Sequence, residues 1–293
     1  MSNQNSFTLI DQQNGNLAFK VLPFDNNTFY DHLQRLNYFS LILILKGEGI
    51  VRSDVSEYEL RKDQLLCFSP YQPFLIQAES GLQGVAVHFH SDFFCIVKHQ
   101  KEVSCNGVLF NNIYEPPFVL LAEKERDDLL VILEDMKKEL AESNLAQHEL
   151  IVSYLKIFLI QSTRIKLKQS SKGNLAIEDK SEPFLLQSLK DAIEKNFKEK
   201  HSPSDYANLL NTNARNLASL SKKYFDKTIT NLITERIIIE AKRELYLTSK
   251  SIREIAFDLG FSDEFYFSRF FKNCTDISPS LYRETVGFGR GEK

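Results

Sequence analysis

Two histidines spaced two residues apart, with an aspartate two residues further on, are the first side chains here whose types could do chemistry. On a β-strand, His88-Phe89-His90-Ser91-Asp92 would place His88, His90 and Asp92 on one face, because strand side chains alternate with a period of two. Two imidazoles and a carboxylate can hold a metal. A second set is aromatic: Phe39, Phe68, Phe74 and Phe89 lie on strand-like segments. With His88 and His90, the rings Phe39, Phe68 and Phe74 form the candidate ligand-binding set. The same rings could equally fill a barrel that has no ligand. No Ser-His-Asp arrangement and no phosphate-binding loop is present. A third set is basic and polar, on helical segments near the C-terminus: Arg215, Asn216, Ala218, Ser219 and Lys222, then Glu264, Phe265, Ser268, Arg269 and Lys272. Side chains of these types on an exposed helix face can read base edges and grip phosphate.

The elements that must position these sets differ in period. Residues 17 to 90 hold short apolar runs separated by turn signals, among them Leu17 to Phe24, Tyr38 to Leu45, Gln64 to Phe68 and Gly84 to His90. That spacing predicts an antiparallel sandwich or barrel. Leu41 to Leu45 is apolar at every position, as a strand covered on both faces would be. The period then becomes helical, predicting helices over 124–144 and 147–167. Residues 168–182 lose all pattern and read as a linker. From Pro183 onward the chain reads as helical throughout. The expected organisation is a barrel domain at 1–167, a linker at 168–182 and an all-α domain at 183–293.

The C-terminal part contains a repeat. Ala207 and Leu210 match Ala256 and Leu259 at an offset of about 49, and Leu217, Leu220, Lys222 and Asp226 match Phe267, Phe270, Lys272 and Asp276 at about 50. One copy therefore has one extra residue in the turn between its two helices. Ser202-Pro203-Ser204-Asp205 and Ser251-Ile252-Arg253-Glu254 are helix-start signals, the latter a full capping box. Ser262 is placed to cap the following helix. Helix, short turn and crossing helix make a helix-turn-helix unit. Residues 229 to 247 form one helical pattern without Gly or Pro, a rod of roughly 28 Å at about 1.5 Å per residue. Such a rod can hold two recognition helices in successive major grooves, which lie about 34 Å apart.

Composition agrees with two globular domains. The chain has 293 residues, 43% hydrophobic and 26% charged, so each half can build a core. Its net charge is −3, yet the part from Pro183 onward carries 18 Lys and Arg against 15 Asp and Glu. A basic C-terminal part on an acidic remainder suits nucleic-acid binding. The four scattered cysteines (Cys67, Cys95, Cys105, Cys274) form no Cys-x-x-Cys pair, which argues against zinc and against a disulfide framework. No signal peptide or membrane span is read, so a cytoplasmic protein is expected.

The run from Ser251 to Lys272 (SIREIAFDLGFSDEFYFSRFFK), followed by Ile277 to Arg283 (ISPSLYR), resembles the signature of AraC-type transcription regulators. The resemblance covers residues about 184 to 285. Glu235 to Leu245 is similar to that family's connecting helix, and the strands around Lys46 to Gly49 and Pro70 resemble its cupin-like effector domain. The resemblance implies an α+β chain: an N-terminal cupin-like antiparallel β-barrel with helices, then an all-α domain of two helix-turn-helix units joined by a long helix. It implies a sequence-specific DNA-binding regulator, not an enzyme, controlled by a small molecule in the barrel. Double-stranded DNA, an effector, a second copy of the chain and RNA polymerase are the implied partners, with no cofactor. It implies an activator, although the residues themselves do not separate activation from repression.

By resemblance, Arg215, Ala218 and Ser219 read the groove and Lys222 meets phosphate. Asp226 and Asp276 stand where glycine usually follows each recognition helix, and aspartate tolerates the left-handed turn. Ser221 replaces an aromatic, which predicts looser packing in the first unit. Phe265 replaces a small polar residue. The rival reading is a metal-dependent cupin enzyme fused to the DNA-binding domain. Against it, metal-binding cupins place a Glu soon after the His pair and a further His on a later strand. Here no such Glu follows, only His99 comes before the helices, and Phe74 after Pro73 occupies another position where histidine is common.

Overall fold

Alternating apolar positions and good turn formers build the strands. The computed structural model describes residues 6–11, 15–26, 28–79, 81–142, 144–176 and 184–286. Its chain divides into two compact units, Met1–Asn112 with Pro116–Ser170, and Ile113–Glu115 with Ser171–Lys293. We call them the barrel unit and the helical unit.

The barrel unit contains β1 (Phe7–Ile10), β2 (Leu17–Phe24), β3 (Phe39–Lys46), β4 (Gly49–Ser53), β5 (Ser56–Leu60), β6 (Gln64–Phe68), β7 (Phe74–Ala78) and β8 (Gln83–Phe89). A short helix α1 (Gln100–Val103), strand β9 (Phe118–Leu120), the long helix α2 (Glu123–Ala141) and the long helix α3 (Gln147–Ala176) as far as Ser170 complete it. Six strands form one sheet in the order β1-β2-β8-β3-β6-β9, and three form another in the order β5-β4-β7. Every strand pairing is antiparallel.

Strand β3 is buried on both faces, as its unbroken apolar run predicts. Leu41 and Leu43 join a core shared with α2 and α3, through Leu129, Leu133, Leu155 and Phe158. Ile42 and Ile44 join a second core with Val51, Leu60 and Ile76 of the smaller sheet. Helices thus cover one face of the large sheet and the small sheet covers the other.

Three strands escape the sequence pattern. In β4, Gly49, Arg52 and Ser53 dilute the apolar signal, and only alternate positions are buried. Strand β1 has no fully buried residue, and β9 is three residues long. Helix α3 runs on to Ala176, past the expected limit at 167 and into the stretch read as a linker. Lys166 and Gln169 act as its anchors: the Lys166 amine donates to the carbonyls of Pro116 and Phe118 at 2.9 and 2.7 Å, and the Gln169 side chain bonds both backbone groups of Leu120. The rest of that stretch, residues 177–182, lies outside the described residues.

The helical unit contains α4 (Phe184–Asn196), α5 (Pro203–Leu209), α6 (Ala214–Phe225), α7 (Ile229–Leu247), α8 (Ile252–Asp258), α9 (Glu264–Thr275) and α10 (Pro279–Thr285). Helix α7 has the bounds that its uninterrupted pattern predicts. Among the described residues, no helix is long and apolar enough to cross a membrane.

The two α-turn-α pairs, α5–α6 and α8–α9, share their backbone bonds at matching offsets. Thr212 N–H donates to the Ala207 carbonyl at 2.9 Å, and Phe261 N–H donates to the Ala256 carbonyl at 2.9 Å. The left-handed residue of the first turn is Asn211 (φ 49°), and its counterpart in the second is Gly260 (φ 79°). Gly260 faces a further constraint, because a Cβ there would lie 1.9 Å from the Lys198 carbonyl oxygen. Gly15 has a similar φ of 72° but nothing within 4 Å of an added Cβ. Gly15→Ala should therefore cost the left-handed penalty alone, about 1–2 kcal/mol. Gly260→Ala should cost distinctly more, because backbone must also move. Denaturant unfolding of the full chain measures both, and equal losses would show that the Lys198 carbonyl yields freely.

Candidate nucleic-acid interface

Each recognition helix starts at a side-chain cap and ends in a left-handed aspartate. Asn213 caps α6 by accepting from Asn216 N–H at 2.8 Å. Asp263, rather than the expected Ser262, caps α9 by accepting from Tyr266 N–H at 2.7 Å. The extra residue in the second turn moves the helix start one position on, and a carboxylate suits the positive end of a helix. Asp226 (φ 54°) and Asp276 (φ 63°) both adopt left-handed backbone, as their positions predict.

The supporting helices are held by their own caps. In α8, Ser251 N–H donates to Glu254 at 2.6 Å and Glu254 N–H donates to the Ser251 hydroxyl at 3.2 Å. The Ser251 N–H, and the Ser251 hydroxyl donating to the same carboxylate at 2.8 Å, hold the Glu254 carboxyl below its usual range. The Ser202 hydroxyl does the same for Asp205 at the start of α5.

Burial decides which faces remain for DNA. In α9, Phe267 and Phe271 are fully buried, while Phe270 is only half-buried against Phe261. Phe265, Arg269 and Lys272 are exposed, and Glu264 and Ser268 are half-buried. In α6, Leu217 is buried and Arg215, Asn216, Ala218, Ser219 and Lys222 are all exposed. The residues singled out on each helix thus lie off its core stripe. Two are already engaged: the Asn216 amide donates to the Thr212 hydroxyl at 3.2 Å, and Lys222 pairs with Asp226 one turn on. Tyr266, 56% exposed beside Phe265 at 75%, adds a second ring to the first turn of α9. A search for polar and charged outward positions passes over it.

Ser221 is wholly buried, and its hydroxyl donates to the Lys227 carbonyl at 2.6 Å. The expected loss of packing at this position is thus offset by a bond that closes the turn after α6. Lys227 is itself buried, its amine bonding the Ile113 carbonyl at 3.1 Å and Glu235 at 2.7 Å. Along α7, buried Glu240 lies 3.3 Å from Arg236 and 2.8 Å from Arg243. No sequence period marks such partners, since they are charged residues on an apolar stripe.

The candidate metal and ligand residues of the barrel unit fall in different places. Strand β8 ends at Phe89, so His90 and Asp92 lie in the turn beyond it and the expected common face with His88 does not form. Among the described residues, no group of three or more His, Cys, Asp or Glu is placed to hold a metal. His88 lies opposite Ser40, and its Nδ1 is 2.9 Å from the Ser40 hydroxyl. Burial, with a smaller contribution from Lys20, pushes its pKa down to about 3 and keeps the imidazole neutral.

The candidate aromatic set divides between the two cores. Phe39 packs on Phe89 and Phe110 on the helix side, whereas Phe68 and Phe74 stack 4.0 Å apart between the sheets. Pairing explains the division: Phe68 is opposite Ser40 rather than Phe39, so the two rings leave the sheet on opposite faces.

Comparison with known proteins follows the same division. A family model described as "Helix-turn-helix domain" matches residues 206–285, and one described as "AraC-like ligand binding domain" matches residues 23–155. The chain is 24% identical over 267 residues to the uncharacterized HTH-type transcriptional regulator YfiF of Bacillus subtilis (strain 168), covering 88% of this chain and 80% of that one. It is 31% identical over 118 residues to the transposon Tn10 TetD protein of Escherichia coli, covering 39% of this chain and 86% of that one. It is 26% identical over 140 residues to the raffinose operon transcriptional regulatory protein RafR of Pediococcus pentosaceus, covering 48% of this chain and 46% of that one. The chain thus spans about half the length of RafR.

The exposed face of α9 yields a test on a duplex selected from a random pool. Arg269→Ala should weaken that duplex by about 1–3 kcal/mol and relax one or two base pairs, as loss of a forked base contact does. Lys222→Ala should weaken all sequences alike and shallow the salt dependence by about one unit. Unchanged affinity and base preference in a folded Arg269→Ala protein would make Arg269 a solvated surface charge.

Proposed function

The chain belongs to the AraC family of transcription regulators, and from that premise we propose how its parts divide the work. The helical unit binds duplex DNA with α6 and α9 in successive major grooves, while a small-molecule effector acts through the barrel unit. The observation that carries this reading is the repeated α-turn-α geometry at the two ends of α7. Nineteen residues make that helix about 28 Å long, near the spacing of successive major grooves. Arg215 and Arg269 are the base-reading candidates, with Asn216, Ala218, Ser219, Glu264, Phe265 and Ser268 shaping each surface. Lys222 and Lys272 act on phosphate.

Phosphate neutralisation releases counterions, so affinity should fall steeply with salt. Titration of the full chain on a selected duplex at 50 and 200 mM salt should give a linear log–log slope. A folded protein that binds no duplex at the lower salt would overturn the reading.

The long helices α2 and α3 are the proposed dimer surface. Val131 on α2 and Leu150 and Ile157 on α3 remain exposed although both helices bury their other faces. Leu150 and Ile157 are seven residues apart, so they share one side of α3. Light scattering at micromolar concentration should report a dimer that Ile157→Glu converts to monomer. A monomeric wild-type chain would remove this proposal. RNA polymerase is a further proposed partner, reached while the protein is on DNA.

A further inference from the structure

The two recognition helices correspond position by position, so a difference between their side chains is a difference in what each can read. Both α6 and α9 have 12 residues. Their caps, Asn213 and Asp263, and their left-handed ends, Asp226 and Asp276, stand at the same offset as the rest of the repeat. At that offset Arg215 corresponds to Phe265, Asn216 to Tyr266 and Ser219 to Arg269, and all six side chains are exposed.

The first turn of a recognition helix is the part that meets base edges. Helix α6 offers a guanidinium and an amide there, whereas α9 offers two rings. The Tyr266 ring leans on Phe261 of the turn, with centroids 5.8 Å apart. Phe265 is 75% exposed. It shares one face of α9 with Arg269 and Lys272, four and seven residues on, and that face is turned away from buried Phe267 and Phe271.

A phenyl ring neither donates nor accepts a conventional hydrogen bond, and leaving it in water is unfavourable. Among the groups that base pairs present in the major groove, the apolar one is the C5-methyl of thymine. The neighbours of Phe265 suit that groove. Arg269 and Lys272 are cations on the face that a polyanion would meet. Glu264, in the same turn as Phe265, repels phosphate but can accept from a cytosine amine.

We propose that α9 recognises thymine through Phe265, while the equivalent Arg215 gives α6 a guanine at the matching place in its own half-site. The operator is then two unlike half-sites read by one chain. Phe265 and Arg269 are separated by about 6 Å along the helix axis, or about two base pairs at ~3.4 Å each. The thymine therefore lies close to the pair that Arg269 reads. The proposal rests on the reading of α9 as a DNA-binding helix, and the test separates the two.

The full chain selects a duplex from a random pool, and each thymine of that duplex is then replaced singly by deoxyuridine. The replacement removes the methyl and keeps every hydrogen-bonding group. One buried methyl is worth about fourfold in affinity. That loss should appear at one or two thymines beside the pair whose preference relaxes in Arg269→Ala. In Phe265→Ala the same replacements should change nothing further, and Phe265→Arg should select guanine in place of that thymine. The scan on the unaltered chain needs no variant to fold. Indifference of the unaltered chain to every deoxyuridine would overturn thymine reading and leave DNA binding standing. So would full deoxyuridine sensitivity in Phe265→Ala, or an unchanged thymine in the sequences that Phe265→Arg selects. Failure of the folded chain to select any duplex would instead remove the DNA-binding reading, and this proposal with it.

Discussion

Helix α7 is the element on which the helical unit depends. Both helix-turn-helix pairs and α10 pack on it, so its straightness sets the relation between the two recognition helices. Its buried stripe includes Ile229, Leu232, Ile233, Ile237, Ile238, Ala241 and Leu245. Such a stripe stabilises a helix through burial, but apolar packing alone leaves rotation about the axis weakly specified. The charged residues on the same helix add direction. Glu235 is tied to buried Lys227 just before the helix, Arg236 pairs with Glu194 of α4 at 2.7 Å, and buried Glu240 lies 3.8 Å from Lys198 beyond α4. Charges of this kind are costly to bury and tolerable only in pairs. A rotation that separated them would leave an unpaired charge inside the unit. The apolar stripe therefore holds α7 in place, and the ion pairs resist its turning.

The two pairs at the ends of this rod solve one geometric problem with different residues. A helix-turn-helix turn needs a left-handed residue between its helices. Asn211 meets that need in one copy and Gly260 in the other, where the glycine also sits against the Lys198 carbonyl. Each recognition helix must then stop and reverse. Asp226 and Asp276 do this by their backbone, while the first copy adds the Ser221 hydroxyl bond to the Lys227 carbonyl. The corresponding position of the second copy holds Phe271, buried against Phe267 and Tyr282. Both copies thus bond a hydroxyl to the equivalent carbonyl, Ser221 to Lys227 in the first and Thr275 to Ile277 at 3.1 Å in the second. Ring and hydroxyl are exchanged between the two positions: Phe225 and Ser221 in one, Thr275 and Phe271 in the other.

Much of this was legible in the residues. The bounds of α7, the repeat with its extra turn residue, the left-handed aspartates and the double burial of β3 all follow from local chemistry or simple period. The failures share a cause. Strands β1 and β9 are edge strands, and β4 gains its pattern from pairing with β5 and β7 rather than from its own composition. Ser262 and Asp263 are both good caps, and the choice between them depends on where the turn leaves the chain. The division of Phe39 from Phe68 and Phe74 depends on cross-strand register, which no single strand records. The metal trio failed because β8 ends one residue before His90.

Register also explains why the barrel's aromatic content was a poor guide to ligand chemistry. A ring on a strand that is covered on both faces is buried whichever way it points, so its burial carries no information about a guest. Phe68 and Phe74 satisfy each other by stacking, and Phe39 does so with Phe89 and Phe110.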